Sequence, residues 1–136
     1  MDGIVYITLD QAKDIHRKTI QYSGGGTYEH FDLGRLDSVL QNIQNDDYYP
    51  TFEDKITHLF FCTCEFHCFA DGNKRLAITL STQFLLLNGY MAVAKRFFTV
   101  MENISYHVAA GRIDKDLLHR IIVAVMDGTY DSDEEL

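Results

Sequence analysis

Residues 51–89 read TFEDKITHLFFCTCEFHCFADGNKRLAITLSTQFLLLNG, two apolar segments joined by a short polar break. Thr51-Phe-Glu-Asp54 has the pattern of a capping box, in which the Thr hydroxyl accepts from the backbone three residues on and the Asp carboxylate reaches back. The helix it opens carries Ile56, Leu59, Phe60, Phe61, Cys62, Cys64 and Phe66, and is predicted to extend to about Phe69. Apolar residues on almost every side mark a helix surrounded by others, at the centre of a bundle. After the break, Leu76, Ala77, Leu80, Phe84 and Leu87 recur at helical spacing, and Asn88-Gly89 supplies the stop of a second helix.

Towards the N-terminus, Leu36, Val39, Leu40 and Ile43 form an i, i+3, i+4, i+7 stripe that ends in Asn45-Asp-Asp-Tyr-Tyr-Pro50, with Asp32 as the expected cap. Thr8-Leu-Asp-Gln11 is another capping box and predicts a helix from about Thr8 to Tyr22, with Ala12, Ile15 and Thr19 on its inner face. Ser23-Gly-Gly-Gly26 stops it, and the polar and aromatic stretch through Asp32 reads as an exposed loop. Towards the C-terminus, Tyr90 to Ala94 alternates weakly and is too short to make a sheet. Two more helices are predicted, Thr99 to Ala110 before Gly111 and Asp114 to Met126 before Gly128. The expected fold is all-α, a compact six-helix bundle with at most a short strand. Residues 1–130 form one domain in this reading, and residues 131–136 an acidic tail with nothing to bury.

Composition sets outer bounds. The 136 residues suffice for one core, and 46 % hydrophobic with 24 % charged is the balance of a globular domain. A net charge of −8 repels phosphate backbones and anionic lipid, so neither nucleic acid nor membrane is an expected partner. No apolar run approaches the roughly 20 residues of a membrane span, and Met-Asp-Gly-Ile lacks the basic segment of a signal peptide, which predicts a cytoplasmic protein. Cys62, Cys64 and Cys68 are an odd number packed within one short stretch, a poor disulfide framework, and are expected as free thiols.

The chemistry concentrates in the break, His67-Cys-Phe-Ala-Asp-Gly-Asn-Lys-Arg75. The first backbone N–H groups of the following helix point outward and favour anions, and Gly72 lets a ligand approach the main chain. Asn73 donates from its amide, Lys74 adds a point charge and Arg75 a fork for phosphate oxygens. Asp71 is a hard oxygen ligand suited to Mg2+ bridging those phosphates. His67 is the natural group to take a proton from an attacking hydroxyl. Together these residues describe transfer of a phosphorus group from a nucleotide. Cys64, His67 and Cys68, with His58 further back, also place possible zinc ligands on one face, but cysteine in a buried helix is better read as a small hydrophobe. His16, His30, His107 and His119 have no partner spacing, and exposed or capping roles are expected for them.

The same nine residues resemble the signature of the Fic/Doc family, specifically its death-on-curing (Doc) branch of toxin-antitoxin toxins. The six-helix plan, the glycine-rich loop and Leu85-Leu-Leu-Asn-Gly89 are similar to it as well. The resemblance implies His67 as catalytic base, Phe69 as a core anchor, Asp71 as Mg2+ ligand, and Gly72, Asn73, Lys74 and Arg75 as the phosphate cradle. It further implies that the loop holding Gly25, Gly26, Thr27 and Tyr28 is a flap that binds the target backbone. The wider Fic pattern reads Gly-Asn-Gly-Arg-x-x-Arg, whereas here Lys74 replaces the second Gly and Ile78 the second Arg. Those residues make room for the phosphates and hold the γ-phosphate in AMP-transferring relatives. Their loss is similar to Doc, which binds ATP the other way round and transfers the γ-phosphate to elongation factor Tu. The resemblance thus implies a protein Ser/Thr kinase with Mg2+ and ATP. AMP transfer by the same fold and a non-catalytic nucleotide-binding module are the alternatives. Self-inhibited relatives carry Ser/Thr-x-x-x-Glu-Gly/Asn; here Glu102-Asn103 is preceded by Phe98 at the hydroxyl position. The inhibitory motif is therefore missing, and a separate antitoxin protein is expected.

Overall fold

The computed structural model describes residues 3–22, 33–65 and 73–130. Among these the chain forms six α-helices and no strand: α1 (Leu9–Tyr22), α2 (Leu33–Asn42), α3 (Phe52–Cys64), α4 (Asn73–Leu87), α5 (Met91–Ala109) and α6 (Lys115–Asp127). The all-α, six-helix architecture expected from the sequence is the one observed. The acidic tail 131–136 lies outside the described residues.

The two helices of the opening stretch form the centre. α3 packs against α2, α4, α5 and α6, while α4 packs against α1, α3 and α5. Ile56, Leu59 and Phe60 of α3 and Leu76, Leu80 and Phe84 of α4 are fully buried. Both predicted capping boxes form. Thr51 Oγ1 accepts from Asp54 N at 3.0 Å while Asp54 Oδ2 accepts from Thr51 N at 3.2 Å. At α1, Thr8 Oγ1 accepts from Gln11 N at 3.1 Å and Gln11 Oε1 from Thr8 N at 2.9 Å. Each exchange satisfies two N–H groups that a helix start leaves without partners.

Two cations close helix C-termini, where the backbone dipole leaves partial negative charge. Lys55, fully buried inside α3, donates to the Ile43 carbonyl just past α2 at 2.8 Å and to Asp46 Oδ1 at 2.7 Å. Burial pulls its pKa down, but hydrogen bonds to Asp46 and Tyr6 outweigh that and leave it above the ordinary lysine value. Arg96 of α5 donates from Nε and Nη2 to the Val125 carbonyl of α6, at 2.9 and 2.7 Å. Beside it Gly128 turns left-handed at φ 78°, a conformation costly for any residue with a Cβ.

Phe84 stacks on Phe52 at 4.7 Å and on Tyr6 at 6.1 Å, and Phe52 on Tyr90 at 4.9 Å. These rings close the end of the bundle away from the α4 N-terminus. There Asn88 acts as a clasp: its Oδ1 accepts from Val5 N at 2.8 Å and its Nδ2 donates to the Val5 carbonyl at 2.9 Å, tying the first described residues to the end of α4.

Three local expectations are corrected. α3 ends at Cys64, where the Glu65 N–H bonds both Phe61 and Cys62 carbonyls and so tightens the last turn; the rest of the predicted stretch, 66–69, lies outside the described residues. α5 begins at Met91 and not Thr99, so Tyr90 to Ala94 is a helix cap and first turn. Buried Ala94, Phe97, Met101, Ile104 and Val108 run as one stripe along α5, and packing this stripe overrides the weak alternation at its start. His16 is buried, with 2 % of its surface exposed, where an exposed or capping role was expected.

His58 joins three elements on the other side of α3. Its Nδ1 lies 2.8 Å from Lys115 Nζ, and its Nε2 lies 3.2 Å from Tyr49 Oη. Lysine can only donate, so the His58 proton resides on Nε2 facing Tyr49. Burial lowers the pKa of His16 and of His58 from 6.5 to about 4, and the Lys115 charge adds to the effect at His58. Both imidazoles fold neutral, so the unfolded chain binds more protons between these values. Their contribution to stability is present above pH 6.5 and is lost as pH falls towards 4. Urea unfolding at a series of pH values should show stability falling through that window, by up to ~1.4 kcal/mol per pH unit for each histidine. The slope should flatten in His16→Asn/His58→Asn. At neutral pH, Lys55→Met should cost about 2 kcal/mol in the same assay, because it strands the Ile43 carbonyl.

Candidate active site

α4 begins at Asn73, the seventh residue of the nine that carry the chemistry. His67, Phe69, Asp71 and Gly72, and the loop residues Gly25, Gly26, Thr27 and Tyr28, lie outside the described residues, and of Asn73 only the backbone is described. The described part of the site is therefore the α4 N-terminus with Lys74 and Arg75, and the surfaces of α1 and α5 that face it.

Successive helix residues are separated by about 100°, and the two cations diverge accordingly. Lys74 is half-buried, and its ammonium lies 5.3 Å from the centre of the Tyr106 ring on α5. Arg75 is exposed and turns the other way, into a cleft of about 820 Å³ between α1, α4 and α5. α1 supplies Gln11, Asp14, Ile15, Lys18 and Thr19 to that cleft, α4 adds Ile78, Thr79, Thr82 and Gln83 beyond Arg75, and α5 supplies Phe98 and Glu102. Thr19 and Thr79 hydroxyls are bonded across it at 3.1 Å. Asp14 is held by Arg17 and Lys18, each at 3.1 Å. The Thr82 hydroxyl is buried and has no hydrogen-bond partner among the described residues.

The start of α4 carries two basic residues and no acidic one. α1, α3 and α6 each carry an acidic residue in the first turn, where the helix dipole is positive, whereas α2, α4 and α5 have none. Lys74 and Arg75 put two positive charges beside that positive pole, each opposed by a few tenths of a kcal/mol to ~1 kcal/mol. Such an arrangement favours an anion at the helix start, where it can meet the first-turn N–H groups and either cation. Ile78, one turn on, is 6 % exposed and presents only hydrocarbon to the cleft.

The cysteines take the inert role. Burial, reinforced by Glu65, pushes the Cys64 thiol up to about 12, and burial raises Cys62 as well, so neither is a nucleophile at neutral pH. Both are free thiols. Among the described residues no group of three His, Cys, Asp or Glu side chains could hold a metal ion. Two of the possible zinc ligands, His67 and Cys68, fall outside those residues. No helix among them is long and apolar enough to cross a membrane.

Sequence reasoning found the α4 half of this surface and missed the rest. Gln11, Asp14 and Lys18 look like the ordinary polar face of an amphipathic helix. Phe98 and Glu102 drew attention only as the place where an inhibitory motif fails. One signal was available: Phe98, Glu102 and Tyr106 recur at i, i+4, i+8, an edge of α5 distinct from its buried stripe.

The family model described as Fic/DOC family matches residues 6–85, more than half of the chain, from the N-terminal segment through most of α4. Searches of the curated proteins and of the solved structures found no match. The charges at the α4 N-terminus give a testable expectation for anion binding. Arg75→Ala should weaken binding of pyrophosphate about tenfold or more, the loss of a charge-assisted hydrogen bond. The thermal midpoint should hold, because the side chain is exposed; titration calorimetry and a melting curve check the two halves of this expectation.

Proposed function

This chain belongs to the Fic/Doc family, whose members are typically transferases of AMP or phosphate, and from that premise we propose that it is a Doc-type toxin kinase. In this reading it moves the γ-phosphate of ATP onto a Ser or Thr hydroxyl of a translation factor, elongation factor Tu being the expected target. The target hydroxyl oxygen attacks the γ-phosphorus, the bond to the β–γ bridging oxygen breaks, ADP leaves, and His67 takes the hydroxyl proton. Such a transfer passes through a loose, charge-rich transition state, so positioning and electrostatic stabilisation carry the catalysis.

The observation that carries phosphate over AMP transfer is at α4. Lys74 stands where AMP-transferring relatives have glycine, and its side chain occupies space beside the helix start. Ile78 stands where they have the second arginine, and it is a buried hydrocarbon wall. A γ-phosphate beside Ile78 would lack the second arginine that those relatives place there, whereas over the N-terminus of α4 it meets the helix N–H groups, Lys74 and Arg75. Asp71 would hold Mg2+, for which a carboxylate is a fitting hard ligand, and the ion would supply charge neutralisation of the phosphates. Gly72 and Asn73 complete the cradle, and Gly25, Gly26, Thr27 and Tyr28 would hold the target backbone beside His67.

A toxin of this kind without the inhibitory motif requires a separate antitoxin. The cleft between α1, α4 and α5 supports that partner, because a segment seated among Ile15, Ile78 and Phe98 would reach Arg75.

Incubation of the purified chain and of His67→Ala with lysate, Mg2+ and ATP labelled at the α- or γ-phosphate tests the reading. Label should enter one protein from the γ position only, and His67→Ala should lower its rate 10²- to 10⁴-fold, roughly the contribution of a general base, with nucleotide binding retained. Label from the α position would replace the kinase with AMP transfer, and nucleotide binding without any labelling would leave a binding module.

A further inference from the structure

We propose that Tyr106 is a positioning residue that holds Lys74 over the start of α4 with its charge available to phosphate, an assignment that rests on the phosphate-cradle reading above. Phe98, Glu102 and Tyr106 follow one edge of α5 towards the α4 N-terminus. The first two line the cleft that receives Arg75, and the third lies under the Lys74 ammonium, 5.3 Å from its ring centre. Tyr106 is 62 % exposed and is not needed for the core, which α5 builds from Phe97, Met101, Ile104 and Val108.

The choice of partner matters because lysine is a flexible point charge. Carboxylates stand nearby: Glu102 is one turn away on α5, and Glu65 follows α3, close enough that it and Lys74 both act on the Cys64 thiol. Pairing with either would neutralise the ammonium and engage its donors. An aromatic face attracts a cation through its quadrupole, restrains it, and leaves its charge and its three N–H donors free. Among the described residues no carboxylate lies within ion-pairing distance of Lys74, and the Tyr106 ring is the contact it makes. The two cations of the cradle are thereby kept apart, Arg75 on the cleft side and Lys74 on the side of α5, so that phosphate oxygens meet them from two directions.

The ring and not the hydroxyl performs this role, which separates it from a merely structural one. Titration calorimetry with ATP and Mg2+ on the full chain, in a double-mutant cycle, tests it. Tyr106→Leu should weaken ATP binding about three- to fivefold, the scale of an exposed cation–π contact. Tyr106→Phe should stay within about twofold of the unaltered chain. In a Lys74→Ala background, Tyr106→Leu should have no further effect. Unchanged affinity in Tyr106→Leu, or an equal loss with and without Lys74, would overturn the assignment while leaving the cradle intact. If Lys74→Ala binds ATP as tightly as the unaltered chain, or if the unaltered chain binds none, the cradle reading falls and the role of Tyr106 falls with it.

Discussion

A helix that is apolar on nearly all sides must be surrounded, and the burial of α3 is the constraint from which the rest of this structure follows. With Ile56, Leu59 and Phe60 excluded from water, α2, α4, α5 and α6 have to cover it. Each buried aliphatic or aromatic side chain contributes on the order of 1.5–3 kcal/mol. The covering helices also bring polar groups that need partners. Lys55 is the sharpest case, an ammonium inside the central helix that is tolerated because it meets the last carbonyl past α2 and the Asp46 carboxylate.

Charge placement separates structure from site. At the ends of α2 and α6, Lys55 and Arg96 sit where the helix dipole welcomes a cation. At the start of α4, Lys74 and Arg75 sit where it does not. Two cations at a helix start work against the dipole, a placement that serves the fold less than those at the ends of α2 and α6. The same helix is held in the core by Leu76, Ala77 and Leu80, and burial of these turns anchors the helix start that carries Lys74 and Arg75.

Much of the fold is written in short-range pattern. Both capping boxes, the four-residue stripe of α2, the Asp114 cap and the Gly128 stop of α6 depend on residues a few positions apart, so they survive reading without tertiary information. Errors arise where long-range packing decides. The extra turns of α5 come from the fit of Ala94 and Phe97 against the core, and the burial of His16 comes from α1 lying on the bundle. A histidine reads the same in either setting, because its neighbours in sequence do not reveal which face a partner helix covers.

The candidate site divides along the same line. The sequence by itself determined the six helices and the family, and it placed a cation pair at a helix start, since motif residues adjacent in the chain remain adjacent in space. Only the tertiary structure decided where those cations go: Arg75 into a cleft walled by α1 and α5, and Lys74 onto the ring of Tyr106. The hydroxyls of Thr19 and Thr79, 60 positions apart, meet across that cleft because the helices that carry them pack side by side. The reason is general: chain connectivity specifies what is close along the backbone, while the faces that helices turn towards one another are set by the burial of the whole core at once.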